Sequence, residues 1–276
     1  MELLTILVTG ATGNVGRHVV DQLVRSGARV RALTRNPATA NLPQPVEVVY
    51  GELTDPQTLV PALNGVTAMH LITFNGADSA PLQTGAEIVA LAEKAGVRKV
   101  TLLWSGERGP VEEAVEASRL EWTHLQPPVE FMSNAREWAE SIRSEGVVRG
   151  LNGQVLSAMI HEADIGSVAA TVLMEDGHAF KSYTLTGPEV LSISDKIRLM
   201  SAEIGRDIGF VQLLEEEERA KMREAGIQED VIDYVVGWHA NPPKESYQVL
   251  PTVEQITGRP ARTFAQWLTE NREQFI

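Results

Sequence analysis

Short apolar runs alternate with helical patterns from the N-terminus to about residue 130. The runs Leu3–Val8, Ala28–Thr34, Val46–Tyr50, Ala68–Thr73, Lys99–Trp104 and Trp122–Gln126 have the length and β-branched content of buried strands. Between the first two, Val15, Val19, Val20, Leu23 and Val24 recur at the spacing of a helix that lays one face on a sheet, and Gly27 ends it. Further helices are predicted near Pro56–Leu63, Gln83–Ala95 with Gly96 as terminator, and Val111–Ser118. This alternation predicts an α/β fold, a Rossmann-type doubly wound parallel sheet.

Pro127–Pro128 stops the sixth run, and the alternation loosens after it. The expectation is a sheet domain over residues 1–130 and a smaller C-terminal α+β lobe over 131–276, with some later segments returning to the sheet. Tyr183–Thr186 reads as a strand before the Gly187–Pro188 turn. Ser194 is the expected cap of a helix with Ile197, Met200 and Ile204 on its face and Gly205 at its end. Thr263 and Gln266 stand at capping-box spacing for the last helix. Glu215–Glu218 reads as a solvated helix start. Leu214–Trp238, with Val231, Ile232, Val235 and Val236 as its buried stripe, is a candidate lid.

The chemistry concentrates where the first strand must turn into the first helix. There the chain reads Thr9-Gly10-Ala11-Thr12-Gly13-Asn14-Val15-Gly16. A pyrophosphate can approach main chain only where no Cβ blocks it, and such a turn needs a positive φ that glycine adopts without strain. The amides at the helix N-terminus then face the phosphates, assisted by the helix dipole. The spacing is Gly-x-x-Gly-x-x-Gly, and its place between strand and helix identifies it as a dinucleotide clamp. Arg35 follows the second strand, where a chain that binds the unphosphorylated cofactor commonly places an acid for the ribose hydroxyl. A guanidinium there suits a 2′-phosphate, so NADP(H) is the expected cofactor. Arg17 and Arg31 are further cations whose direction the sequence does not set.

Ligands of open parallel sheets bind beyond the carboxyl ends of the strands. That rule gathers Thr12, Gly13, Asn14 and Val15 with Arg35, Glu52–Leu53, Thr73-Phe74-Asn75, Trp104-Ser105-Gly106 and the segment after Pro127. Glu52 and Leu53 are placed beside the adenine. Trp104, Phe131 and Met132 are candidate apolar walls for a ring substrate, with ordinary packing as the alternative for the last two.

Bulk composition narrows the partners. The 276 residues carry a formal net charge of -13 and no cysteine. Disulfides, thiolate metal sites and cysteine nucleophiles are therefore excluded. The negative field disfavours nucleic acid and anionic membrane. No apolar run approaches the roughly 18 residues that cross a bilayer, and Glu2 with the immediate first strand leaves no room for a basic leader, so the expected location is cytoplasmic. Oligomer formation is left open. No metal site is expected: His70 and His124 fall inside predicted strands, and His161 has no second histidine at ligand spacing.

The blocks ILVTGATGNVGRHVV, ALTRNP, VVYGELTDP, EWTHLQPPVEFMSN, HEADIGSVAATVL, YTLTGPEVLS and TGRPARTFAQWL span nearly the whole chain. Together they resemble the NmrA-like group of atypical short-chain dehydrogenases/reductases, which includes quinone reductases and triphenylmethane-dye reductases. The resemblance implies a Rossmann domain with a smaller C-terminal substrate lobe, NADP(H), and either reduction of small molecules or redox sensing. It also implies that Gly10, Gly13 and Gly16 form the phosphate loop and that Arg35 meets the 2′-phosphate. Leu125-Gln126-Pro127 departs from the Leu-Arg-Pro common in that group.

Many short-chain reductases pair Tyr-x-x-x-Lys, the lysine lowering the tyrosine pKa so that the phenol protonates the developing alkoxide. Here the residues four beyond Tyr50, Tyr183, Tyr234 and Tyr247 are Thr54, Gly187, Trp238 and Pro251. Ser105 occupies the position of the usual serine and is the candidate for orienting a carbonyl. Three readings accommodate the missing pair. Hydride goes to a quinone or conjugated acceptor whose product anion is delocalised; or the substrate's own hydroxyl, or water, supplies the proton; or the chain senses NADP(H) without chemistry. The expectation is an NADPH-dependent reductase of a small aromatic, quinone or polyketide-type ketone, with the non-enzymatic sensor as alternative and a nucleotide-sugar epimerase as third.

Overall fold

A computed structural model describes residues 4–75, 80–103, 108–128 and 130–276. The strands are β1 Thr5–Val8, β2 Arg29–Thr34, β3 Glu47–Tyr50, β4 Ala68–Ile72, β5 Lys99–Leu103, β6 Glu121–Gln126, β7 Val147–Gly150, β8 Leu156–Ser157, β9 Lys181–Thr184, β10 Leu191–Ser192 and β11 Gly209–Gln212. Seven of them form one sheet in the order β3-β2-β1-β4-β5-β6-β9. Every pairing in it is parallel. This is the doubly wound sheet that the alternation predicts, and its order reverses between β1 and β4, the topological switch point.

The four residues of β1 are all buried, as a parallel strand covered on both faces requires. Alternation assigns its side chains to opposite faces. Leu7, Leu33, Met69, Leu71, Val100 and Leu102 join one core with the helices Gly85–Ala95 and Pro110–Glu116. Ile6, Val8, His70 and Thr101 take the other face. There the helix Glu162–Met174 runs over β4, β5 and β6 and packs against the helix Gly16–Arg25.

The chain divides into two compact units. Unit 1 comprises Met1–Pro127, Glu162–Leu185 and Thr252–Arg259; unit 2 comprises Pro128–His161, Thr186–Pro251 and Pro260–Ile276. Within unit 2, β7 pairs in parallel with β11, and β8 with β10 antiparallel. Its core joins Met132, Ile142, Met159, Met200, Phe264 and Trp267. The rings of Phe264 and Trp267 are stacked at 5.8 Å. The Thr263–Gln266 capping box forms as its spacing predicts, Thr263 Oγ1 accepting from the Gln266 amide at 3.2 Å.

Three local expectations change. The cap of the helix Ile193–Ile204 is Ser192, whose Oγ accepts from the Asp195 amide at 3.0 Å. Ser194 instead donates to the Gly153 carbonyl at 3.0 Å. The acidic run opens a helix, Glu215–Glu224, but Glu218 turns inward and is 9% exposed. In the next helix, Glu229–Ala240, Ile232 and Val236 are buried, whereas Val231 faces solvent.

Candidate functional site

The site is built at the carboxyl ends of β1 to β4 in unit 1. Thr9, wholly buried, ties the end of β1 to that of β4. Its hydroxyl donates to the His70 carbonyl at 3.1 Å and accepts from the Ile72 amide at 3.0 Å. The turn begins beyond this tie. Gly10 has φ +60°, and a Cβ on it would meet the Ile72 side chain at 3.1 Å. Gly16 is fixed by closeness, because its Cβ would lie 2.0 Å from the Gly10 carbonyl oxygen. Gly13 donates to that same oxygen at 2.9 Å.

These contacts leave Thr12, Gly13 and Asn14 on the surface while Val15 and Gly16 are buried. The helix Gly16–Arg25 has no side-chain cap and no acid in its first turn. Arg17 folds back over the loop, donating through Nη2 to the Thr12 carbonyl at 2.9 Å and through Nε to the Gly13 carbonyl at 3.2 Å. The guanidinium thus ties the Thr12 and Gly13 carbonyls to the first turn of the helix. A glycine-lined turn with a positive helix end fits a diphosphate. Thr9 and Arg17 are positioning residues that the spacing of the glycines does not reveal.

Arg35 lies exposed immediately beyond β2. Arg31 is committed elsewhere, donating to the Ala62 and Asn64 carbonyls at 2.7 and 2.8 Å and pairing with Glu47 at 3.0 Å. The loop after β3 is pinned through Thr58, whose hydroxyl accepts from the Glu52 amide at 2.8 Å. Thr84 Oγ1 donates to the Leu53 carbonyl at 2.6 Å. After β4, Thr73 is buried and donates to the Leu103 carbonyl at 3.3 Å, and Asn75 donates from its amide to the Ala80 carbonyl at 2.7 Å. Phe74 is half-buried and bridges to Pro81. Trp104, Ser105, Gly106 and Glu107 lie outside the described residues.

Phe131 and Met132 belong to unit 2. Phe131 is half-buried, its backbone paired with Ile160. Met132 is 1% exposed and packs in the unit 2 core, so its side chain serves packing rather than an open substrate wall. The histidines are interior groups. His70 Nδ1 lies 2.9 Å from Thr101 Oγ1, and burial lowers its pKa to about 4. Burial also holds His124 below its ordinary value, although Glu116, 3.6 Å away, pulls it up. His161 Nε2 lies 3.2 Å from Glu270 Oε2. Among the described residues, no three His, Cys, Asp or Glu side chains are grouped to hold a metal ion.

Residues 3–126 match the NmrA-like family. A (4-alkanoyl-5-oxo-2,5-dihydrofuran-3-yl)methyl phosphate reductase of Streptomyces griseus subsp. griseus is 34% identical over 98% of this chain and 99% of its own. The chain belongs to the NmrA-like family. A second relative, an NAD(P)H azoreductase of Xenophilus azovorans, is 32% identical over 95% of this chain and 96% of its own. Among solved structures, NADPH-dependent quinone oxidoreductase QOR2 of Escherichia coli complexed with NADPH shares the fold. Its TM-score is 0.80 at 24% identity, covering 97% of this chain and 99% of that one. No described helix of this family member is long and apolar enough to cross a membrane.

Proposed function

We propose that the chain is an NADPH-dependent reductase that transfers hydride to a small aromatic, quinone or polyketide-type ketone. The observation that carries this reading is the turn at residues 10–16. It is glycine-walled, exposed at Thr12–Asn14, continuous with a helix N-terminus that has no side-chain cap, and followed one strand later by Arg35. The reductase and NAD(P)H azoreductase names of relatives above 30% identity support it. In this reading, Gly10, Gly13 and Gly16 shape the diphosphate cradle and Thr12, Asn14 and Val15 present main chain to it. Arg35 pairs with the 2′-phosphate, Glu52 and Leu53 flank the adenine, and Thr73-Phe74-Asn75 border the nicotinamide side.

The bound nicotinamide supplies the hydride; the protein supplies binding, orientation and exclusion of water. Ser105 is the proposed group for orienting the acceptor carbonyl, with Trp104 beside it in sequence as its apolar neighbour. Because no tyrosine has a lysine four residues on, the acceptor that suits this chain is one whose reduced anion is stabilised by its own conjugation. The same absence favours a second reading, an NADP(H) sensor that binds the nucleotide without consuming it.

One experiment separates them. NADPH is incubated with the protein and a panel of quinones and aromatic ketones, and loss of nicotinamide absorbance is followed beside a calorimetric titration of NADPH. Saturable loss with one acceptor class is the expected result. Tight binding without loss across the panel transfers the assignment to the sensor, and absence of saturable binding removes both.

A further inference from the structure

The edge strand β3 ends in a large side chain that the core of unit 1 does not use. Tyr50 is 53% exposed, and its hydroxyl has no hydrogen-bond partner among the described residues.

Sheet register places this phenol. Tyr50 is the partner of Thr34 in the parallel pairing of β3 with β2, and the Gly51 amide donates to the Thr34 carbonyl at 3.2 Å, so the two strands run side by side to their ends. Arg35, exposed, follows Thr34 directly. Paired residues of a parallel ladder share a face of the sheet, and side chains alternate along each strand. Leu33, with Val49 packed beside it, faces the core that holds the helices Gly85–Ala95 and Pro110–Glu116. Thr34 and Tyr50 therefore take the opposite face with Ala32 and Val48, the face on which the helix Gly16–Arg25 packs against β2.

The chain on either side holds the arrangement. The Asn36 amide donates to Thr34 Oγ1 at 3.2 Å, which folds the segment back just after Arg35. Gly51 passes so close to Leu33 that a Cβ on it would lie 2.4 Å from Cδ1. Thr58 then pins the Glu52 amide at 2.8 Å. Tyr50 thus stands at the end of a fixed strand rather than on a loop.

A dinucleotide whose diphosphate lies at the start of the helix Gly16–Arg25 brings its adenosine ribose to the end of β2 on this same face. A phosphate monoester presents three strong acceptor oxygens, more than the two that one guanidinium fork engages. An accessible hydroxyl without a partner, one strand over from that guanidinium, supplies a further donor.

We propose that Tyr50 is a second selector of NADPH, its hydroxyl donating to the ribose 2′-phosphate beside Arg35. The assignment rests on the NADPH reading of the turn at residues 10–16 and adds a specificity residue to it.

Calorimetry on wild type and Tyr50→Phe tests it with NADPH, NADH and adenosine 2′,5′-bisphosphate. The variant keeps the ring and removes only the hydroxyl, so thermal unfolding should be unchanged. NADPH and the bisphosphate are expected to bind about fivefold more weakly, the scale of one hydrogen bond, while NADH keeps its wild-type affinity. Equal weakening of NADPH and NADH would move the phenol from the 2′-phosphate to the adenosine that both share, and unchanged NADPH affinity would leave it without a contact; either result overturns the proposal. Saturable NADPH binding by the wild type in the same titrations separates those results from failure of the NADPH reading, which absence of wild-type binding would overturn together with the role of Tyr50.

Discussion

Two helix N-termini in this protein handle the same problem in opposite ways. Each helix begins with backbone N–H groups that lack an intrahelical acceptor. The helix Ile193–Ile204 is sealed by its own sequence: Ser192 accepts from the Asp195 amide, and the Asp195 carboxylate accepts from the Ser192 amide at 3.1 Å and its hydroxyl at 2.7 Å. Those bonds, with Arg198 beside them, lower the Asp195 pKa to about 2. The helix Gly16–Arg25 has no such seal and no acid in its first turn, and its approach is a run of surface main chain. One terminus is closed by side-chain bonds; the other has no side-chain bond from its N-cap Val15 and is where we propose the diphosphate binds.

The strongest test of that contrast is Gly16→Ala. The new methyl would collide with the Gly10 carbonyl at 2.0 Å, a backbone atom that no rotamer change can move aside. A loss of about 3 kcal/mol in urea unfolding is expected, with NADPH binding abolished. Gly13→Ala, whose Cβ meets that oxygen at 3.1 Å, should keep the fold and lose affinity. Equal stability of Gly16→Ala and wild type would remove the geometric account of the cradle.

Acid should distinguish the two regions next. His70, beneath the cradle on β4, has its pKa lowered from 6.5 to about 4. The unfolded chain therefore binds a proton that the folded one refuses as pH falls through this window. Its contribution is fully present above pH 6.5 and declines toward pH 4, by roughly 3 kcal/mol in all. The Asp195 cap follows a later course: with a pKa depressed from 3.8 to about 2, its contribution holds above pH 3.8 and is lost on further acidification. Unfolding free energies measured from pH 7 to 4 should fall in wild type and flatten in His70→Phe, with the offset of its removed Thr101 bond taken at pH 7.

Arg35→Asp should weaken NADPH by about 30-fold while changing NADH little, since a charge-assisted hydrogen bond to phosphate is worth about 2 kcal/mol. Comparable affinities of the wild type for both nucleotides would contradict the role given to Arg35. At the sealed terminus, Ser192→Ala should cost about 1 kcal/mol of unfolding free energy and leave nucleotide binding untouched. Smallest in stability is Arg17→Glu. An acid in the open first turn gains about 0.5 kcal/mol from the helix dipole, which the loss of the exposed Arg17 bonds to the Thr12 and Gly13 carbonyls offsets, so thermal unfolding should move little while calorimetry shows NADPH affinity reduced by repulsion.

Much of unit 1 was legible in the sequence because its strands are short, apolar and bounded by glycine or proline, and because the phosphate turn needs glycines at close sequence spacing. The helix Glu162–Met174 was not legible as a helix. Eleven of its residues, from Glu162 through Leu173, are buried, so no polar face marks its period. The Ser192 cap was missed by two residues because Ser194 also stands before the apolar stripe, and only the hydrogen bonds separate the two. Met132 looked like a wall because it follows the strand ends in sequence; its packing with Phe264 and Trp267 comes from segments more than a hundred residues away.

The chain's local pattern determined the strand–helix alternation, the glycine turn and the basic residue after β2, because backbone conformation and charge at those points depend on neighbours in sequence. Only the tertiary structure decided that Arg17 bonds to the Thr12 and Gly13 carbonyls, that Glu218 turns inward from the solvated run, and that Lys196 is buried against Ser157. A side chain's direction and desolvation depend on which distant segments surround it, and residue spacing along the chain carries no record of them.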